Sequence, residues 1–191
     1  MVDVGLMGCG TIGSQLARTL ERTYPHAARL VALHDRDRAR AERLQGRLRR
    51  HPPIVSLARL IRDSDLVIEA ASVEVAADVV RRCLRANRKV LVMSVGGLLE
   101  DRTWQRLLRR SHGMVYIPSG ALAALDGVKA LAVGRILRMS LTTRKPPRAL
   151  ASAPYVQRRH LRLDRLKGPS LIFEGPPRAA VAAFPQNTNV A

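Results

Sequence analysis

The sequence has 191 residues, 47% of them hydrophobic and 3% aromatic, with a formal net charge of +18. That length and apolar content fit one large domain or two small ones around an aliphatic core, and they exclude disorder as the default. The charge raises nucleic acid first, but the basic residues, all but four of them arginine, spread over polar faces of predicted helices and lack aromatic stacking partners, so they read as a solvated surface that attracts anions, not a specific nucleic-acid site.

The chain opens with an apolar run, Val2 to Met7, that enters Gly8-Cys9-Gly10-Thr11-Ile12-Gly13 and leaves through a helical pattern, Ser14 to Leu20. Strand, glycine turn and helix N-terminus form the construction that seats a dinucleotide pyrophosphate. Gly8 permits the turn, Gly10 lets backbone approach phosphate, and Gly13 lets helix and strand pack closely. Ala28 to Leu33 reads as a second strand ending at His34-Asp35. Asp35, about 20 residues past the last motif glycine, suits the acceptor of a ribose 2′-hydroxyl. Arg36 and Arg38 follow and suit a 2′-phosphate, so NAD and NADP both stay open.

A charged helix is expected over 37–50, stopped by His51-Pro52-Pro53, then a short strand at Ile54-Val55 and a helix over 57–62 capped by Ser56. Asp65 to Ser72 gives a buried strand and its exit, followed by a helix over 73–86. Lys89 to Met93 is the next strand, leading to Ser94-Val95-Gly96-Gly97. Leu98 to Arg110 reads as a basic helix, and Met114 to Ile117 as a strand. Near-continuous apolar strands alternating with helices predict a parallel, doubly wound α/β domain of the Rossmann type over 1–118.

The pattern then changes. A helix is expected over 121–133, a long alternating strand over 135–144, a basic Pro-containing connection over 145–170, a strand over 171–175 and a helix over 179–183. Residues 119–191 read as the start of an α+β substrate domain.

Ligands of open α/β sheets lie beyond the carboxyl ends of the strands. The small residues of the exits Glu69-Ala70-Ala71-Ser72, Ser94 to Gly97 and Ser119-Gly120-Ala121 admit a cofactor closely. Glu69 suits a contact to the nicotinamide ribose or to a positively charged group, or equally a helix-dipole partner or a surface charge. Thr142-Thr143-Arg144-Lys145 gathers two hydroxyls and two cations for a small dicarboxylate, with strand alternation placing Thr143 and Lys145 on one face and Thr142 and Arg144 on the other. Asn187 and Asn189 occupy a Pro-flanked turn, where capping competes with ligand contact. The two cysteines form no C-x-x-C pair and the five histidines no ligand or catalytic spacing, so no metal is expected. No leader pattern and no run of about 18 apolar residues is present. A cytoplasmic protein without a membrane partner is the expectation.

Taken together, the motifs resemble the L-aspartate dehydrogenase family over almost the whole chain. The resemblance rests on Gly8 to Gly13, Glu69-Ala70-Ala71-Ser72, Ile117-Pro118-Ser119-Gly120-Ala121, Leu125-Asp126-Gly127-Val128-Lys129, Leu141 to Pro147, Ile172-Phe173-Glu174-Gly175, and Phe184 to Ala191. It implies NAD(P)-dependent oxidation of L-aspartate to iminoaspartate, which yields oxaloacetate and ammonia or feeds NAD biosynthesis. It also implies dinucleotide contacts from Ala121, Asn187 and Asn189, and it leaves a homodimer open. The family's chain continues past Asn-Val-Ala and carries its catalytic histidine there. The expectation is therefore an incomplete substrate domain that exposes apolar surface, with no catalytic residue named within the sequence. The alternative is a non-catalytic dinucleotide-binding protein.

Overall fold

The computed structural model describes residues 1–99, 101–119 and 125–185. Ala121, Asn187 and Asn189 lie outside them. The chain divides into two compact units, Met1–Pro118 and Ser119–Ala191.

In the first unit five strands, β1 (Val2–Met7), β2 (Ala28–His34), β3 (Leu66–Glu69), β4 (Lys89–Val92) and β5 (Val115–Tyr116), form one sheet in the order β2-β1-β3-β4-β5. Every pair is parallel. The strand expected at Ile54-Val55 is a single bridge beside β2: Leu33 N–H donates to Pro53 O and Val55 N–H to Leu33 O, each at 2.9 Å. Pro52 and Pro53 supply no donors, and the helix capped by Ser56 begins at once, so no length remains for a ladder. With that bridge counted, the strands follow the order of a doubly wound dinucleotide fold, and the order reverses between β1 and β3.

Both faces of the sheet are covered, which is why its strands are almost wholly apolar. On one face α1 (Thr11–Thr23) and α2 (Arg38–Gln45) bring Ala17, Ala41 and Leu44 against Val4, Leu6, Leu33 and Ile68. On the other, α3 (Leu57–Asp63), α4 (Val73–Arg85) and α5 (Thr103–Leu108) pack against Val67, Val90 and Val92. The buried side of α4 is Ala76, Val79, Val80, Cys83 and Leu84, a helical repeat of three and four. Burying each valine or leucine contributes about 1.5–3 kcal/mol.

Two helices are shorter than the sequence suggests. The helix expected over 37–50 stops at Gln45, with Gly46 as its C-terminal cap. The one expected over 98–110 is replaced by a 3-10 turn, Val95–Leu98, and α5. Just before Arg102, the N-cap of α5, the carboxylate of Asp101 accepts both the N–H and the hydroxyl of Thr103, at 2.8 and 2.6 Å, a local turn that competes with an earlier helix start.

The second unit holds α6 (Leu125–Leu131), α7 (Pro147–Leu150), α8 (Pro154–Arg158) and α9 (Pro177–Ala183). A small core joins Tyr155, Phe173 and Phe184, ring centroids 5.3–5.7 Å apart, with Ala153, Val156 and Leu163 buried. The strands expected over 135–144 and 171–175 do not form. A strand exists only as a pair, and no ladder occurs among the described residues of this unit. Leu137, Met139 and Leu171 consequently stand in solvent, as does Val133 just past α6. The expected exposure of apolar surface is met.

Candidate functional site

The turn after β1 is built from three glycines with three different surroundings. Gly8 has φ +96°, and its N–H donates to His34 O at 2.8 Å. A side chain there would strike the Ala70 carbonyl, whose carbon stands 2.5 Å from the ideal Cβ position. Gly10 caps α1 in an extended conformation with no side-chain cap, and nothing lies within 4 Å of where its Cβ would be. A Cβ on Gly13 would collide with the backbone oxygen of Gly8. The first forms the bend, the second leaves an opening, and the third brings helix against turn. Thr11 and Ile12, in the first turn of α1, are exposed. The first N–H groups of a helix have no intrahelical partners, and the dipole is positive at that end. The opening over Gly10 at the start of a 13-residue helix thus fits the pyrophosphate of a dinucleotide.

Asp35, half-buried just past β2, is joined to this turn. Its Oδ2 accepts the Cys9 N–H at 2.7 Å and its Oδ1 the Asp37 N–H at 2.8 Å. Each carboxylate oxygen has room for a second donor, so a sugar hydroxyl can still be accepted. Arg36 and Arg38 are exposed beside it, Arg38 paired with Glu42 at 2.9 Å. Burial, and then the charge of Asp35, pushes the Cys9 thiol up to about 12, which removes it as a nucleophile.

At the β3 exit Ala71 is exposed and Ser72 half-buried, the latter at the N-terminus of α4. Glu69 is fully buried, so its reading as a surface charge is wrong. Its carboxylate accepts hydrogen bonds from Ala71 and from Ser94. Burial raises its pKa against the pull of those donors. The one signal in the sequence was an acidic residue closing a buried apolar run.

In the second unit Ser119, Thr142, Thr143, Arg144 and Lys145 are all exposed. Without a strand the alternation expected of residues 142–145 is not present. Sequence reasoning also missed an open groove of about 530 Å³ bordered by Arg148, Gln157, His160 and Arg162, the last paired with Asp164 at 3.0 Å. No group of three or more metal-binding side chains occurs among the described residues. No helix among them is long and apolar enough to cross a membrane.

Residues 8–114 match the model of the homoserine dehydrogenase NAD binding domain, and residues 126–191 that of the aspartate dehydrogenase C-terminal region. The whole chain aligns with L-aspartate dehydrogenase of Methanosarcina barkeri at 39% identity, covering 72% of that protein. It aligns with L-aspartate dehydrogenase 3 of Bordetella bronchiseptica at 40% identity, covering 70%. Among solved structures, aspartate dehydrogenase of Thermotoga maritima superposes with a TM-score of 0.66 and 22% identity, over all of this chain and 71% of that one. This last likeness is one of fold.

Proposed function

The chain belongs to the L-aspartate dehydrogenase family, and from that premise we propose that it oxidises L-aspartate with NAD or NADP as acceptor. The observation that carries the proposal is the glycine turn itself: an unobstructed Gly10 at the start of α1, tied through the Cys9 N–H to Asp35. When bound, the dinucleotide supplies an electrophilic nicotinamide carbon. The substrate's Cα–H bond breaks with its electron pair leaving as hydride, the amine loses a proton to solvent, and a C=N bond forms. Water then hydrolyses iminoaspartate to oxaloacetate and ammonia, or the imine feeds NAD biosynthesis.

On this reading Gly8, Gly10, Thr11, Ile12 and Gly13 hold the pyrophosphate by backbone approach and helix dipole. Asp35 accepts from the adenosine ribose, and Ala71, Ser72, Ala121, Asn187 and Asn189 contact the rest of the dinucleotide. Ser119, Thr142, Thr143, Arg144 and Lys145 hold the two carboxylates, the arginine in two-pronged fashion. Residues 1–118 form the dinucleotide-binding domain and 119–191 belong to the substrate domain. The enzyme works in the cytoplasm.

The test is reduction of NAD or NADP on addition of L-aspartate, followed by the absorbance of the reduced nicotinamide, with D-aspartate and L-glutamate as controls. Turnover with L-aspartate alone is the expected result. NADH binding without any turnover in the protein extended through the C-terminal segment, where the resemblance places the catalytic histidine, would refute the proposal and favour the non-catalytic alternative.

A further inference from the structure

Glu69 is the last residue of β3 and is 0% exposed, yet no established step uses it. Its Oε1 accepts the Ala71 N–H at 2.8 Å and the Ser94 hydroxyl at 2.9 Å. Its Oε2 accepts the Ser94 N–H at 3.1 Å. Ala71 lies in the loop after β3, and Ser94 in the one after β4. One side chain therefore joins the exits of two neighbouring strands. Burial opposes its charge, donors on both loops support it, and among the described residues no cation contributes. A buried carboxylate held only by hydrogen bonds is a costly way to stabilise a fold, since an apolar side chain of similar size serves that end as well or better. It is, however, a way to fix two loops at defined positions.

We infer that Glu69 is a positioning residue, whose carboxylate locks the β3 and β4 exits into one floor beneath the nicotinamide half of the dinucleotide. The inference rests on the dinucleotide reading of the same sheet edge. A dinucleotide straddles the point where strand order reverses, here between β1 and β3. Asp35 marks the adenosine half, on the β2 side. The other half then falls over β3 and β4, whose exits Glu69 joins.

The substitution Glu69→Gln keeps size and shape but, whichever way the amide turns, sets its NH2 against a backbone N–H of Ala71 or Ser94 that can only donate. The full chain and the variant are titrated by calorimetry with NADH and with ADP-ribose, which lacks the nicotinamide, and both are melted thermally. The inference predicts NADH binding weaker by about tenfold or more, the order expected for loss of a charge-assisted hydrogen bond, with ADP-ribose within about twofold. A general loosening of the fold would weaken both ligands together. Equal losses, or an unchanged NADH affinity, overturn the inference. If Glu69→Gln does not fold, Ser94→Ala removes one of the three bonds and decides the question. It must show the same split, at about threefold or more, and without that split the inference fails. An unaltered chain that binds neither ligand sinks the dinucleotide reading itself, an outcome distinct from failure of the split.

Discussion

Replacing Gly10 by alanine adds one methyl group at a point with nothing within 4 Å. The residue's extended conformation, φ −73° and ψ −161°, suits alanine. Two small effects on stability oppose each other. Alanine lowers the entropy of the unfolded chain, worth about 0.4–1 kcal/mol. It is also a poorer N-cap than glycine, at a cost of about 0.5–1 kcal/mol. The net change is within about 0.5 kcal/mol, a few degrees of melting temperature at most. Binding should respond quite differently, because the methyl occupies the space through which the pyrophosphate reaches the N–H groups of α1. Losing one charge-assisted hydrogen bond there weakens NADH by about tenfold to a hundredfold. Gly13→Ala is the contrasting case. Its Cβ meets the Gly8 backbone oxygen, so helix and turn must separate. Overpacking costs about 1–3 kcal/mol, offset in part by about 1 kcal/mol of helix propensity. That variant should lose both stability and binding. The assay is a thermal melt beside an NADH titration read by energy transfer from Trp104, the single tryptophan, to the reduced nicotinamide. Gly10→Ala with full NADH affinity would refute the reasoning, because the opening would then have nothing to do with the ligand.

Asp35→Ala leaves the Cys9 and Asp37 N–H groups without their acceptor and leaves Arg36 beside the ribose position. The NADPH-to-NADH affinity ratio should rise by about tenfold, and calorimetry that finds it unchanged counts against the assignment. Cys9 and Cys83 both have thiols pushed up to about 12, chiefly by burial, so neither should react with a disulfide reagent near neutral pH until the chain is unfolded. Rapid labelling of the native protein would contradict their burial. Arg29, through its hydrogen bond foremost, holds the Asp3 carboxyl below its ordinary 3.8. The stability this adds is present above that value and is lost as pH falls through the lowered one, so Asp3→Asn should flatten the acid limb of the melting curve. Glu69 has the opposite sign. Its raised pKa means its contribution falls as pH rises from 4.5 through the folded value, a slope that Glu69→Gln should remove.

The parallel sheet was legible because strands covered on both faces are written as apolar runs: Val4 and Leu6 turn to one face, and Val67 and Val90 to the other. The glycine turn was legible for a different reason. Gly8 and Gly13 answer to backbone geometry and close approach, which no other residue satisfies, and Gly10 between them leaves the opening. Helix ends were less so, because a local side-chain turn such as Asp101 accepting from Thr103 competes with apolar periodicity and prevails locally. The partners of Glu69 could not be read at all, since Ser94 becomes its neighbour only when β3 and β4 pair. The stretch 135–144 shows the converse. Its alternation is plain in the sequence, but alternation describes a strand's faces and not its partner, and among the described residues none is supplied.

The most direct test of the account uses L-aspartate deuterated at Cα, with the nicotinamide recovered after turnover and analysed by mass spectrometry and NMR. Hydride transfer from the substrate predicts one deuterium at C4 of the reduced nicotinamide and none in the oxaloacetate released. Reduced nicotinamide without the label, or none formed from L-aspartate with either dinucleotide by the protein carrying the family's C-terminal segment, would contradict it.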